Sequence, residues 1–249
     1  MSSKIKKTIK NFFNKFYWKQ HPEAALRYLP IVSELKNLHL EDSKILEIGS
    51  GSLGIIPYLK RSIDGLDVDF SGPQTKLLRK IKGSAINLPF RKNDYDVALC
   101  ADTLEHIEPE NREQSIYEML RIAKKLAVIV VPVGKLSEKQ DLFANARWQH
   151  VFGNNYQFLD EHIKYGLPKT EEILVFIDKS LRKLNKKAKV SSHSNLNLVI
   201  RKILINTWIS KNKLIYYTYL KGFLLLLPLL RLCNFGNCYR RVFVIEFTS

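Results

Sequence analysis

Apolar residues come in short runs separated by charged stretches, and the period of the runs changes along the chain. Lys44–Ile48, Ile63–Asp67, Gly83–Ile86, Tyr95–Cys100 and Leu126–Val131 are too short for helices and read as strands. Between them, about Leu53–Arg61, Pro73–Ile81 and Pro109–Lys124 place apolar residues three and four apart and read as helices. The last opens on Pro109 and Glu110 and closes on Lys124 and Lys125, which suits a helix dipole. Strands alternating with helices require an α/β fold with a parallel, doubly wound sheet.

The flanks read differently. Ser3–Trp18 carries Ile5, Ile9, Phe12, Phe13 and Phe16 at helical spacing among lysines, a basic amphipathic helix that either packs on the domain or lies on a membrane surface. Pro22–Leu38 is a second helical stretch, interrupted at Pro30. Beyond the strands, Val133–Phe158 is loop-like, and Asp160–Tyr165 and Lys169–Leu184 read as helices. Lys189–Ser192 and Tyr239–Phe247 read as a sixth and a seventh strand. The intervening Leu196–Leu232 is far longer than a hairpin needs, and its apolar run after Lys221 is shorter than the ~20 residues that span a bilayer. It reads as a helical insertion. The expected organisation is cap helices over 1–40 and one α/β domain over 41–249, with the insertion at 196–232.

Charge adds to this picture. The 249 residues carry a net charge of +16, distributed unevenly. Residues 1–18 hold lysines and no acid, 179–241 hold fourteen Lys and Arg and no acid, and 93–178 are net acidic. Basic ends around an acidic middle suit a phosphorylated substrate, nucleic acid or an anionic membrane surface. Of the three cysteines, Cys100 ends a buried strand, and Cys233 and Cys238 lack the further ligands of a zinc site. The start of the chain has charge but no apolar signal core, so a cytoplasmic protein is expected, peripheral on the inner membrane face if its basic ends find lipid.

The candidate chemistry lies at Lys44–Gly54, where the run Ile45–Ile48 stops at Gly49-Ser50-Gly51 and Gly54 precedes a helical pattern. Glycines admit a ligand against the backbone, and free N–H groups at a helix start face it. Asp67, ending the second strand, is placed for the hydroxyls of a ribose. Further on come Ala85-Ile86-Asn87-Leu88-Pro89-Phe90, Tyr95-Asp96-Val97 and Leu104-Glu105-His106-Ile107.

These elements, in this order, resemble the class I methyltransferases that use S-adenosyl-L-methionine (SAM), in particular the type 11 branch. The resemblance is strong from Ser43 to Pro132 and loose elsewhere. It implies a Rossmann-like seven-stranded sheet whose last strand is antiparallel, with N-terminal helices over the cofactor. It also implies that Gly49, Ser50 and Gly51 lie against the methionine part of SAM, that Glu47 accepts from its ammonium group, that Asp67 takes the ribose hydroxyls and that Val68 lies on the adenine. Two positions depart from the family pattern: Ser84, beside Ala85, stands where an acid often contacts adenine, and Leu53 stands where many members have the third glycine. Asp102 and Thr103 follow the fourth strand on the cofactor side.

Methyl transfer from a sulfonium depends mostly on alignment, so a base is needed only for an acceptor such as a hydroxyl. His106 and His150 are the candidates, each set against a structural role. No metal is expected. The leading reading is methyl transfer to a small-molecule, lipid or glycan acceptor, lipid-linked or phosphorylated. The rivals are an RNA methyltransferase, suggested by charge but lacking an N/D-P-P-Y-type motif, and a non-catalytic SAM-binding protein.

Overall fold

The computed structural model describes residues 20–248, so the amphipathic stretch Ser3–Trp18 lies outside the described residues. The first element among the described residues is helix α1 (Pro22–Asn37), capped by the His21 side chain, which accepts from the Ala24 N–H. Strand β1 (Ile45–Ile48), a short helix α2 (Ile56–Leu59) and β2 (Ile63–Asp67) follow. Then come β3 (Leu78–Lys82), β4 (Tyr95–Ala101), a 3-10 turn at Leu104–His106, α3 (Pro109–Ile122) and β5 (Ala123–Pro132). Three helices, α4 (Gly134–Phe152), α5 (Gln157–Tyr165) and α6 (Thr170–Leu184), lead to β6 (Lys187–Asn197). The insertion holds α7 (Leu198–Trp208), α8 (Lys213–Tyr217), a π-helical stretch (Thr218–Gly222) and a last turn α9 (Leu227–Leu230). Strand β7 (Cys238–Thr248) closes the sheet.

The sheet has seven strands in the order β3-β2-β1-β4-β5-β7-β6. The pairs β1–β2, β1–β4, β2–β3 and β4–β5 are parallel, and β7 runs antiparallel to both neighbours. Central strands buried on both faces divide their side chains between two cores. On one face Val97, Leu99, Val128, Val130, Val242 and Val244 meet α1 and the insertion residues Leu204, Tyr219, Leu224 and Leu227. On the other, Ala98, Cys100, Ala127, Ile129, Val131 and Phe243 meet α3 and α6. Burial pushes the Cys100 thiol up to about 12, and Cys233 and Cys238 are both free.

Four expectations are corrected. The third strand is not Gly83–Ile86 but Leu78–Lys82, inside the stretch expected to be helical. Leu77, Leu78 and Ile81 have helical spacing, but Leu78 pairs with Ile63 at the sheet edge and Arg79 Nε donates to Asp64 Oδ1 at 2.6 Å. Ser84 and Asn87 instead close a tight turn. The first helix of the sheet domain is shorter than Leu53–Arg61, because Lys60 turns left-handed after Ile56–Leu59. Val133–Phe158 is not a loop: Gly134–Phe152 is helical, and its inward stripe of Ser137, Asp141, Ala144 and Asn145 is polar, so apolar periodicity did not reveal it. Its outward side exposes Leu136, Leu142 and Phe143.

The fourth correction is Pro30, which does not interrupt α1. A proline inside a helix leaves the carbonyl four residues earlier without its donor. That carbonyl is Leu26 O, and the buried Asn195 of β6 donates its Nδ2–H to it at 3.2 Å. Asn195→Ala should cost about 1–3 kcal/mol by leaving a buried acceptor unpaired. Pro30→Ala supplies a backbone N–H at the same place, so the double variant should lose clearly less than the sum. Urea denaturation of the four proteins checks this; strict additivity would refute the pairing.

Candidate active site

The parallel strands bring their C-terminal ends to one edge, and sheet order makes β1, β2 and β4 neighbours there. The chain leaves β1 at Gly49, whose N–H donates to Leu66 O at 2.8 Å and whose φ is +72°. A Cβ here would overlap the Thr103 side chain, so glycine lets the β1 and β4 exits pack together. Gly54 is glycine for a related reason: its Cβ position is filled by the Glu47 carboxylate.

Glu47 is fully buried, and its Oε2 accepts from the Ile55 N–H at 2.7 Å. It therefore caps the turn into α2. Its Oε1 accepts no hydrogen bond. Burial pushes its pKa up to about 7, opposed by the Ile55 N–H and by Tyr28. Asp67 ties the two exits together, accepting from the Gly51 N–H at 2.7 Å and from the Asp69 N–H at 3.0 Å. Val68 beside it is open to solvent at 66 % exposure. Ser84 is exposed and Ala85 half-buried at the start of the Leu88–Phe90 segment. That segment is anchored by α3: Glu118 accepts from the Leu88 N–H at 2.8 Å and Arg121 donates to Phe90 O at 2.7 Å.

Helix α1 stands over this edge. Between it and the glycine turn lies a cavity of about 230 Å³ lined by His21, Arg27, Tyr28, Ser50, Ser52 and Gly54, among others. Tyr28 stacks on Tyr58 with ring centroids 5.4 Å apart. Arg27 and His21 have no motif to mark them in the sequence.

Sequence reasoning also missed what holds α1 in place. Asp102, at φ +49°, sits directly after β4 between two guanidinium groups. Arg240 binds it bidentately, Nε to Oδ1 at 2.8 Å and Nη2 to Oδ2 at 2.6 Å, and Arg27 Nη1 donates to Oδ2 at 3.1 Å. Although burial opposes ionisation, Arg240 and then Arg27 hold the Asp102 carboxyl well below the usual carboxylate range. Because β7 is antiparallel, it begins where the parallel strands end, with Arg240 opposite Pro132. The network continues through Glu23 of α1, which accepts from Arg201 Nε at 3.2 Å, to Asp141, which accepts from Arg201 Nη2 at 2.8 Å. It ends at His162 of α5, whose Nδ1 lies 2.9 Å from Asp141 Oδ2.

The two sequence candidates for a base separate here. His106, in the 3-10 turn after β4, lies with Nδ1 2.7 Å from Glu161 Oε2 and Nε2 3.4 Å from His162 Nε2. Its neighbour Glu105 is fully buried, and burial, with the nearby Asp102 charge, raises its pKa to about 8. His150 is exposed on the last turn of α4. Trp148 enters an aromatic cluster with Tyr156 at 4.6 Å and Trp208 of the insertion at 5.2 Å. Tyr156 continues it to Phe158, whose ring meets His106 edge-on at 5.6 Å.

Arg240→Ala should destabilise the protein by about 3–5 kcal/mol, because it leaves Asp102 and Glu23 short of a buried partner. Arg240→Lys keeps a charge but not the fork and should recover only part of the loss. Chemical denaturation measures both; a loss below about 1 kcal/mol for Arg240→Ala would refute this role.

The arrangement fits a nucleoside bearing an amino-acid zwitterion. The cavity offers the Arg27 guanidinium and a glycine turn, Glu47 Oε1 is buried and accepts no hydrogen bond, and Asp67 stands beside the open ledge at Val68. SAM supplies an electrophilic methyl group on sulfur when bound; the chain's part is to hold and orient it and to admit the acceptor.

Comparison with known proteins agrees. Residues 46–131 match the family described as a methyltransferase domain, type 11. A curated relative is the uncharacterized protein MJ0638 of Methanocaldococcus jannaschii, 25% identical over 72% of this chain and 94% of its own length. Among solved structures, the methyltransferase domain of bacterial CtHen1 aligns over 91% of this chain and all of its own, with TM-score 0.52 and 14% identity. Phosphoethanolamine N-methyltransferase 2 of Haemonchus contortus, solved in complex with SAM, aligns over 83% of this chain and 49% of its own, with TM-score 0.50 and 15% identity. At these identities the two structures share the fold. With the family match over the glycine turn and the strands that flank it, the chain carries a SAM-dependent methyltransferase domain.

Proposed function

We propose that the acceptor is a lipid-linked or otherwise membrane-borne small molecule or glycan, methylated at an anionic membrane surface. The observation that carries this is the outer surface of α4 and the insertion. Phe143 of α4 lies under Lys202 of α7, 5.4 Å from ring centre to Nζ, so these two outer faces adjoin. Val199 and Ile203 are exposed on α7, as are Leu214, Tyr217, Leu229 and Leu232 farther along, Leu214 to 77 %. No acid occurs from 179 to 241. Basic residues near an anionic surface contribute about 1 kcal/mol each. The aromatic cluster from Trp208 to Phe158 leads from this surface to His106. No helix among the described residues is long and apolar enough to cross a membrane, so the contact proposed is peripheral.

The insertion divides its residues between two tasks. Leu204, Tyr219, Leu224 and Leu227 pack on the sheet face under α1. Trp208 alone of its aromatics joins the cluster beside the acceptor side. We assign contact with the acceptor to α7 and Trp208, and Tyr219 supports α1 through His21, 3.2 Å from its hydroxyl.

For the cofactor we assign Glu47, Gly49, Ser50 and Gly51 to the methionine part, Asp67 to the ribose, Val68, Ser84 and Ala85 to the adenine, and Asp102 and Thr103 to the methyl side. Arg27 joins the methionine group from α1. Asp67→Ala should weaken SAM binding at least about tenfold, since each charge-assisted hydrogen bond to the ribose contributes ~1.5–3 kcal/mol. SAM affinity should also rise with pH through about 7, because the ligand's ammonium favours the Glu47 carboxylate and binding releases its proton. In Glu47→Gln that rise should flatten. Calorimetry between pH 6 and 8 reads both; equal pH slopes in the two proteins would reject Glu47 as the ammonium acceptor.

Labelled SAM incubated with the protein and membrane extracts tests the acceptor. Label in the lipid-soluble or lipid-linked fraction is expected, with sedimentation on anionic vesicles that is lost at high salt. Label confined to RNA, or no binding to anionic vesicles at low salt, would overturn the proposal.

A further inference from the structure

His106 and His162 are held by carboxylates on the same side of each ring. Nδ1 of His106 lies 2.7 Å from Glu161, and Nδ1 of His162 lies 2.9 Å from Asp141. Asp141 also accepts from Arg201 and from the Tyr239 hydroxyl at 3.0 Å, so it is ionised and can only accept from the imidazole. Glu161 already accepts from Gln157 at 3.1 Å. Each ring therefore carries a hydrogen on Nδ1, and in the neutral form its Nε2 presents a lone pair. The two lone pairs face each other across 3.4 Å. Two neutral imidazoles rest in that arrangement only with a cation, a proton or a metal ion, between them.

A third group points to the same place. Glu105 is fully buried, and neither of its oxygens has a hydrogen-bond partner. Its Oε1 is 3.9 Å from His162 Nε2. One ligand atom from each of the three residues falls within 4.8 Å of the others. Two imidazole nitrogens about 2.1 Å from one ion, at a tetrahedral angle, stand about 3.4 Å apart. The neighbouring Asp102, Glu23 and Asp141 are matched by Arg27, Arg240 and Arg201, while Glu105 has only the His162 imidazole near it.

We propose that Glu105, His106 and His162 form a binding site for one divalent transition-metal ion, with Asp141 and Glu161 as the carboxylates that orient the two imidazoles. This replaces the sequence expectation that no metal is involved. Three protein ligands leave coordination positions open. The site follows the β4 exit, beside the aromatic cluster, where an acceptor oxygen can complete the coordination. A metal lowers the pKa of a bound hydroxyl, so no protein base need be poised at neutral pH. The hydroxyl proton would pass to water, its oxygen would bond to the methyl carbon as the carbon–sulfur bond breaks, and the sulfur would leave as a neutral thioether. The ion site itself does not depend on whether the acceptor is membrane-borne.

The test uses tag-free full-length protein, stripped with a chelator and titrated by calorimetry with Mn²⁺, Co²⁺ and Zn²⁺ separately. About one equivalent should bind, and the Co²⁺ form should show the visible absorption of a nitrogen- and oxygen-ligated ion. Glu105→Gln preserves shape and should weaken binding at least 100-fold. Glu161→Gln, a change at a positioning residue, should weaken it 10–100-fold. Circular dichroism and SAM affinity should stay unchanged in both variants, which separates loss of the ion from loss of the fold or of the cofactor site. If wild type and Glu105→Gln bind all three ions equally, or wild type binds none, the cluster holds only a proton and the metal site is refuted. That result would leave the proposed acceptor class standing, since vesicle binding and labelling are read without the metal.

Discussion

The carboxylate of Asp102 between Arg240 and Arg27 is the contact on which the site depends. It joins the exit of β4 to the start of β7 and to the inner side of α1. Burying three charges would be unfavourable if any one lacked its partner. Here the two guanidinium groups share one acid, and Arg240 also reaches Glu23. Helix α1 is thereby fixed over the glycine turn, so the cavity wall it provides is electrostatic at one end and apolar at the other, where Leu29, Ile31 and Leu35 meet the sheet. Electrostatics positions the wall of the cavity, while burial of the sheet faces supplies most of the stability.

The sheet strands other than β3 were legible because most of the exposed backbone ends coincide with glycine, aspartate or charge, and because the central strands are uniformly apolar. The glycine turn after β1 was legible for the same local reason: its geometry depends on residues a few positions apart. β3 was not, since an edge strand with one buried side has no alternation strong enough to outweigh the helical spacing of Leu77, Leu78 and Ile81. α4 was hidden by a different cause. Its inward side chains are polar because Asp141 and Asn145 serve His162 and Asp160, so the helix is inside out by the usual measure.

The acceptor side was the least legible part. Glu105 and His106 stood in a recognised motif, yet their partners come from α5, more than fifty residues later, and Asp141 comes from a helix whose pattern did not mark it. Arg27, Arg201 and Arg240 are single basic residues in a chain rich in them. Only the antiparallel turn of β7 and the docking of α7 bring the last two to the C-terminal edge of the sheet, and no local property of the sequence distinguishes an arginine that will be buried from one that will stay in water.

The pairing of Leu26 with Asn195 has a consequence for how the molecule is made. The helix that walls the cavity is synthesised well before the donor that completes its backbone, which is 169 residues farther along. Its ionic anchor, Arg240, comes later still. While the chain emerges, α1 can form its turns yet has nothing to seat it, and the glycine turn lies open. Long-range closure of this kind slows folding. The ability to hold a cofactor is therefore acquired at the end, when β6 and β7 enter the sheet, and a protein lacking its last strand would keep the recognisable motif while losing the pocket.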